Sequence, residues 1–287
     1  MRITIRTFAG SVVVLAGMMV MLSTARAEDF DIWLGLDTAD RGSELVLTTS
    51  AASAMSRFIG TKVAITQSSN LAEAFTARAL DNEAIIGPAH VTAAALQNGY
   101  RLIATTGQDT TYALVVRKDI SSTEQLRGTR LYLTQPHSVR TYIGKGWLSQ
   151  MDLPLKAFAD VTYGRTGGAG LIAISSNLAD ATVVEENEAK QWIANNPGYA
   201  VVLKTTRSIP GGLGFAVRRD VNAEQRARLL QWVNSPDGLI VGVGKFVAVA
   251  ASEQDKYNYV ISFAATNAPL APATGVQRVS AGATVRQ

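Results

Sequence analysis

Short apolar runs alternate with amphipathic or alanine-rich stretches along most of this chain. The runs at 30–36, 61–66, 84–86, 100–107, 111–119 and 129–134 have the length and β-branched content of strands. So do 158–164, 180–186, 199–205 and 213–220. Between them lie helical patterns. One follows Thr48-Thr49-Ser50 and one is capped by Ser69 or Asn70, with Leu71, Ala74, Phe75 and Leu80 on its apolar side. A short helix over 122–128 starts at Ser122 or Thr123 and closes at Gly128. An amphipathic helix over 222–236 turns Leu229, Leu230 and Val233 to a core. The segment 257–263 is a final element, and from Ala264 on the chain is rich in Ala, Pro, Thr and Gly, a composition expected to be poorly ordered.

Strand–helix alternation of this regularity predicts α/β architecture with sheets covered on both faces. The segments Tyr112–Asp119 and Leu213–Asp220 echo one another: each is an apolar strand ending in two basic residues and Asp, followed by a helix. Read as two passages between lobes, they divide the chain into a discontinuous lobe (28–112 plus 218–263) and a continuous lobe (113–217). A cleft between them is a favoured place for a small-molecule site, with hinge closure as the main motion.

Residues 1–27 have the pattern of a secretory leader. Arg2 and Arg6 form the basic end, the apolar run Ser11–Leu22 is shorter than the about 20 residues a membrane span needs, and Ala25-Arg26-Ala27 is a small-x-small cleavage site. Removing Arg2, Arg6 and Arg26 takes the formal charge from +4 to +1, so the mature chain has no electrostatic case for nucleic acid or an acidic membrane. With no cysteine there is no disulfide, thiolate metal site, thiol nucleophile or lipid-bearing cysteine. An exported, unlipidated chain is expected in the periplasm, as a monomer.

The candidate chemistry gathers where strands hand over to helices. Gly87-Pro88 breaks a strand just before an alanine-rich helix, presenting the first N–H groups of Ala89 and His90. The same pattern recurs at His137-Ser138-Val139-Arg140-Thr141 and at Thr166-Gly167-Gly168, while Thr49 and Ser50 open another helix. Such N-termini hold compact anions without burying a bare positive charge. Tyr163 ends a strand beside the glycine turn, and Glu185 or Glu186 ends the next. A carboxylate there accepts a hydrogen bond from a protonated ligand oxygen or pairs with a ligand amine. Each has a plain alternative: a helix cap for the hydroxyls, a solvent-facing helix start for either histidine, a turn for the glycines, a surface ion pair for Arg140. The sequence carries no nucleophile elbow, Walker loop, Rossmann glycine pattern or His-x-x-x-His pair. No residue is therefore assigned to catalysis, a metal or a cofactor.

The order of these motifs resembles the periplasmic substrate-binding proteins of phosphonate- and phosphate-type ABC transporters, a family that includes phosphite binders and arsenite-binding relatives serving sensor kinases. The resemblance covers about 45–235. It rests on the Leu80–Ala95 segment around Gly87-Pro88, on Tyr112–Ser138, on Asn177–Glu186 and on Ile209–Asp220. It implies a type II-like bilobal binding fold, a small oxyanion held in the interlobe cleft, and a membrane permease or a sensor kinase as partner. The chain departs from the family pattern at three places. The Ser-Thr-Ser helix start becomes His137 to Thr141, a histidine before the next helix gives way to Arg165–Gly170, and the aromatic after Gly-Pro becomes Ala89-His90. The arsenite-binding relatives are identified with a cysteine, which this chain lacks. A small organic acid or amine as ligand, a Ser/His hydrolase built on Ser138 or Ser50 with His137 or His90, and a scaffold with a degenerate cleft are the competing readings.

Overall fold

The computed structural model describes residues 29–37, 46–75 and 77–263; the stretch 1–27 expected to be a leader, residue 28, the segment 38–45, Thr76 and the stretch from 264 expected to be poorly ordered lie outside the described residues. Two sheets organise the chain. The first contains β1 (Phe30–Gly35), β2 (Val63–Ser68), β3 (Ala84–Gly87) and β4 (Tyr100–Thr105), joined later by β10 (Gly214–Arg218) and β11 (Val247–Ala248). The second contains β5 (Tyr112–Arg117), β6 (Arg130–Leu133), β7 (Asp160–Tyr163), β8 (Ala181–Glu185) and β9 (Tyr199–Lys204). The spatial orders are β11-β4-β10-β3-β1-β2 and β9-β5-β8-β6-β7.

Both sheets follow one plan. β2, β1 and β3 run parallel, as do β7, β6 and β8. A single antiparallel strand lies against each parallel set, β10 beside β3 and β5 beside β8. These two strands are the pair of echoing segments in the sequence. Each is the first strand after the chain has crossed between sheets, which is why they look alike without being a tandem repeat. Central β5 is buried from Tyr112 to Val116, which explains its unbroken apolar run, whereas edge strand β7 is mostly exposed.

The two crossing segments pair with each other. Asp109–Thr110 and Ile209–Pro210 form a short antiparallel ribbon, and the Thr106 N–H donates to the Leu213 carbonyl at 2.9 Å. The close approach depends on glycine: a Cβ on Gly212 would lie 1.4 Å from the Thr106 carbonyl oxygen. The result is a two-lobed fold with a double-stranded hinge.

The helices are α1 (Thr49–Ile59), α2 (Ala89–Gln97), α3 (Val139–Gln150), α4 (Gly167–Ser175), α5 (Glu186–Asn195), α6 (Ala223–Asn234) and α7 (Gln254–Ile261). The periodicity of 222–236 is confirmed, with Leu229, Trp232 and Val233 buried and Leu230 only partly so. Two expectations change, and a third is given its form. Residues 71–80 form a 3₁₀ turn and one short helical turn rather than a full helix. The helix expected over 122–128 is a single 3₁₀ turn, Glu124–Leu126, with no side-chain cap. Instead the Gln125 carboxamide oxygen accepts from the Ser121 and Ser122 N–H groups just ahead of the turn. The segment 257–263 is helical and continues α7 to Phe263 through one last turn.

Helix α2 is buried from Ala89 to Leu96, which its alanines and single buried histidine and leucine allow. Its apolar surroundings extend into the second lobe. One core cluster runs from Trp33, Ile85 and Val91 through Tyr112 and Leu114 to Ile143 and Trp147, with Tyr257, Val260 and Phe263 of the C-terminal segment between them.

Candidate functional site

In an open α/β sheet the carboxyl ends of parallel strands face the crevice where ligands settle. Here β1 ends at Leu36-Asp37, β3 at Gly87-Pro88, β6 at Leu133-Thr134, β7 at Tyr163 and β8 at Glu185. Gly87, Pro88, Tyr163 and Glu185 occupy these ends, and most of the other residues singled out from the sequence lie at the helix starts that follow strands. The hydrogen bonds decide which of them meet.

The lobes touch at the starts of α2 and α3. His90, 2 % exposed, reaches across from α2, and its Nε2–H donates to the His137 carbonyl at 2.9 Å. That bond fixes the neutral tautomer with hydrogen on Nε2. The ring also lies against Tyr142 of α3, with centroids 5.2 Å apart. Burial pushes the His90 pKa down to about 4, so the ring is uncharged at neutral pH. The solvent-facing alternative for His90 is thus set aside. His137 itself is exposed, and partial burial with Lys145 nearby lowers its pKa.

A second interlobe bond was not anticipated. Asp37, at the end of β1 and 4 % exposed, accepts the backbone N–H of Val139, the first residue of α3, at 2.8 Å. The carboxylate therefore occupies the place where the helix dipole and the free N–H groups favour an anion. The remaining start of α3 is closed by its own hydroxyls. Ser138 Oγ accepts from the Thr141 N–H at 3.2 Å and bonds to Thr134 Oγ1, and Thr141 Oγ1 donates to the Thr134 carbonyl at 3.1 Å. Thr134, Ser138 and Thr141 are all buried. Ser138 and Thr141 shape this helix start as capping groups, the plain alternative for the hydroxyls.

Arg140 lies inside the second lobe, its side chain 8 % exposed, over the start of α4. Its guanidinium pairs with Glu188 at 2.7 Å and with Glu185 at 3.7 Å. Gly167 makes room for it, since a Cβ there would lie 1.7 Å from Arg140 Nη1. Thr166 caps α4 by accepting the Ala169 N–H at 3.2 Å, and Gly168 is an ordinary helical glycine next to Glu188. The surface-pair reading of Arg140 is corrected in part: its guanidinium is buried, while the partners Glu188 and Glu185 keep 31 % and 38 % of their side chains exposed.

Two other candidates face elsewhere. Glu186 accepts from Thr111 Oγ1 at 2.6 Å and pairs with Lys190 and Lys204 beside the hinge; these contacts, led by the Thr111 bond, hold its carboxyl below the usual range. Tyr163 is 39 % exposed, with the Lys145 ammonium 5.6 Å from its ring centroid. Thr49 and Ser50 stand exposed at the start of α1. The structure thus brings His90, His137, Ser138, Arg140, Thr141, Gly167, Gly168 and Glu185 to one region, with Asp37, Thr134, Tyr142 and Glu188 added to it. Asp37 was detectable from its place just past the first strand; Glu188 was hidden because it sits inside a helix. Among the described residues there is no cluster of His, Asp or Glu able to hold a metal ion, and no helix long and apolar enough to cross a membrane.

Residues 46–233 match the family model described as "ABC transporter, phosphonate, periplasmic substrate-binding protein". No curated protein matches the sequence. Among solved structures, XAC2383 from Xanthomonas citri bound to ATP superposes with a TM-score of 0.59 at 15 % identity, over 82 % of this chain and 97 % of that one. PhnD1 from Prochlorococcus marinus in complex with methylphosphonate superposes with a TM-score of 0.51 at 13 % identity, over 81 % and 97 %. At these identities the likeness establishes the bilobal fold.

Proposed function

The chain belongs to the periplasmic substrate-binding proteins of phosphonate ABC transporters, and from that premise we propose that it captures a small oxyanion between its lobes and presents it to a membrane permease. The observation that supports this reading most directly is the α3 N-terminus. It already receives a carboxylate from the opposite lobe, so the cleft has the polarity to hold an anion and to close over it. The start of α2 at Pro88-Ala89-His90 and the start of α4 at Thr166-Gly167 supply further N–H groups from the two lobes. In this reading the first sheet with its helices is lobe 1 and the second sheet with its helices is lobe 2; the divisions expected at 112/113 and 217/218 shift to the crossing ribbon, because Tyr112 already belongs to the second sheet and Gly214–Arg218 to the first. Ligand exchange is closure about the Asp109–Thr110 and Ile209–Pro210 ribbon.

A ligand that joins an ammonium to its acid group is the second reading. It is favoured by the surplus of carboxylates, Glu185 and Glu188, around the single guanidinium of Arg140. Thermal unfolding of refolded, ligand-stripped mature protein tests both. The panel holds phosphate, phosphite, hypophosphite, methylphosphonate, 2-aminoethylphosphonate, and simple carboxylates and amines. A ligand present at a hundredfold excess over its Kd stabilises by about 2.7 kcal/mol, which moves the transition by several degrees. A rise with tetrahedral oxyanions supports the first reading, and a rise confined to the aminated phosphonate or to amines supports the second. No rise with any of them overturns both.

A further inference from the structure

The Asp37–Val139 hydrogen bond has a consequence beyond capping. Both partners belong to the chain, they come from opposite lobes, and they are 102 positions apart in sequence. Asp37 lies two residues past β1 of the first sheet, while Val139 is the first residue of α3, on the second. The bond is buried, and 2.8 Å is a good length for an amide donating to a carboxylate. Next to it, the His90–His137 bond makes the same crossing in the same direction, lobe 1 side chain to lobe 2 backbone. The hydroxyls of Thr134, Ser138 and Thr141 bond to one another and to backbone groups of the same helix start. The guanidinium of Arg140 is met by Glu188 and Glu185. At the start of α3, then, the negative charge that the helix attracts is delivered by lobe 1.

We propose that Asp37 is a specificity-determining residue: a resident carboxylate that latches the two lobes together, and that an anionic ligand must displace from the α3 N-terminus in order to bind. Two charges of the same sign cannot share one helix start, because at separations of a few ångströms in a partly buried site their repulsion exceeds what the remaining N–H groups return. An oxyanion therefore competes with Asp37. Binding is weaker than the donors alone would give, and the most highly charged anions are disfavoured most. The competition rests on the oxyanion reading above; the latch does not.

The experiment uses the ligand-stripped mature protein and three variants. Asp37→Ala removes the carboxylate. Asp37→Asn keeps an acceptor oxygen without the charge. Val139→Pro removes the donor from the other lobe at the first position of a helix, where proline is well tolerated and where Ser138 already has the extended backbone that a following proline requires. Small-angle scattering without ligand reads the latch. Asp37→Ala and Val139→Pro are each expected to enlarge the radius of gyration, the double variant no further than either single one, and Asp37→Asn less than Asp37→Ala. Calorimetric titration with phosphate and methylphosphonate reads the competition: Asp37→Ala is expected to bind at least tenfold more tightly than the parent, with the larger gain for the more highly charged phosphate. Circular dichroism confirms that each variant is folded. Unchanged scattering in both Asp37→Ala and Val139→Pro overturns the latch. Unchanged or weakened anion binding in an opened Asp37→Ala overturns the competition. Opening without anion binding in any form, the parent included, leaves the latch standing and removes the oxyanion reading.

Discussion

At the scale of single residues, the chemistry depends on which groups burial leaves charged. His90 is the plainest case. Its protonated form is penalised by burial, and its pKa falls from the ordinary 6.5 to about 4. Above pH 6.5 the folded and unfolded chains both hold it neutral, so it adds no pH dependence. As the pH drops from 6.5 toward 4, the unfolded chain takes up a proton that the folded one refuses. Stability is lost over that window, by about 3 kcal/mol in full. Chemical denaturation at pH 7, 6 and 5 is expected to show this loss in the parent and a flatter profile in His90→Gln; equal slopes would show that another group controls the acid limb. The histidine was conspicuous in the sequence because the chain has only two. Its partner was not, since the carbonyl of His137 carries no side-chain signature. Asp37 could be noticed for its place just past the first strand, but its role could not: that depends on the backbone N–H of a residue 102 positions away.

At the scale of elements, strand-to-helix junctions were readable because they depend on local chemistry. Gly87-Pro88 ends a strand and Pro88 opens a helix, the glycines at 167 and 168 open another, and the structure has α2 and α4 beginning at those places. What sequence could not supply was why Gly167 is a glycine. Its helix needs none, but the guanidinium of Arg140 fills the space where a Cβ would stand, and Arg140 comes from the start of a different helix. Gly168, with only Glu188 Oε1 at 3.8 Å from a Cβ, is a control one residue away. Gly168→Ala is expected to be neutral or to stabilise by up to about 1 kcal/mol through helix propensity. Gly167→Ala is expected to destabilise by about 1–3 kcal/mol, because the added methyl must dislodge Arg140 from Glu188 and Glu185. Urea midpoints of the two variants decide it, and similar behaviour of the pair would show that the guanidinium has room to move. The 3₁₀ turn at Glu124–Leu126 marks the opposite limit. Ser122, Thr123 and Gly128 have the right types for a capped helix, yet the span 122–128 is too short for helix propagation to repay nucleation, and a Gln side chain takes the backbone donors instead.

At the scale of the whole molecule, the alternation of strands and helices announced two α/β lobes, and nothing in it announced that they share a core. The apolar cluster that begins on Trp33 and Ile85 in lobe 1 passes through Tyr112 at the hinge and reaches Ile143 and Trp147 in lobe 2, bridged by Tyr257, Val260 and Phe263. Phe263 is 2 % exposed, meets the Trp147 ring edge-on at 6.3 Å between centroids, and lies against Gly146 so closely that a Cβ there would be 2.5 Å from its own. A hinge protein whose lobes had separate cores would unfold lobe by lobe, with two calorimetric transitions. A continuous core makes each lobe a large part of the other's support, so this protein is expected to unfold in one transition, with van't Hoff and calorimetric enthalpies that agree. Phe263→Ala is the variant that tests the coupling. Truncation of a buried aromatic typically costs about 3–5 kcal/mol. Because this ring touches α3 of lobe 2 while its helix packs on α2 of lobe 1, the loss should also split or broaden the transition rather than only shift it. Two well-separated transitions already in the parent would mean that the shared cluster carries little cooperativity. The cleft would then open about an independent pair of lobes, held together chiefly by Asp37 and His90.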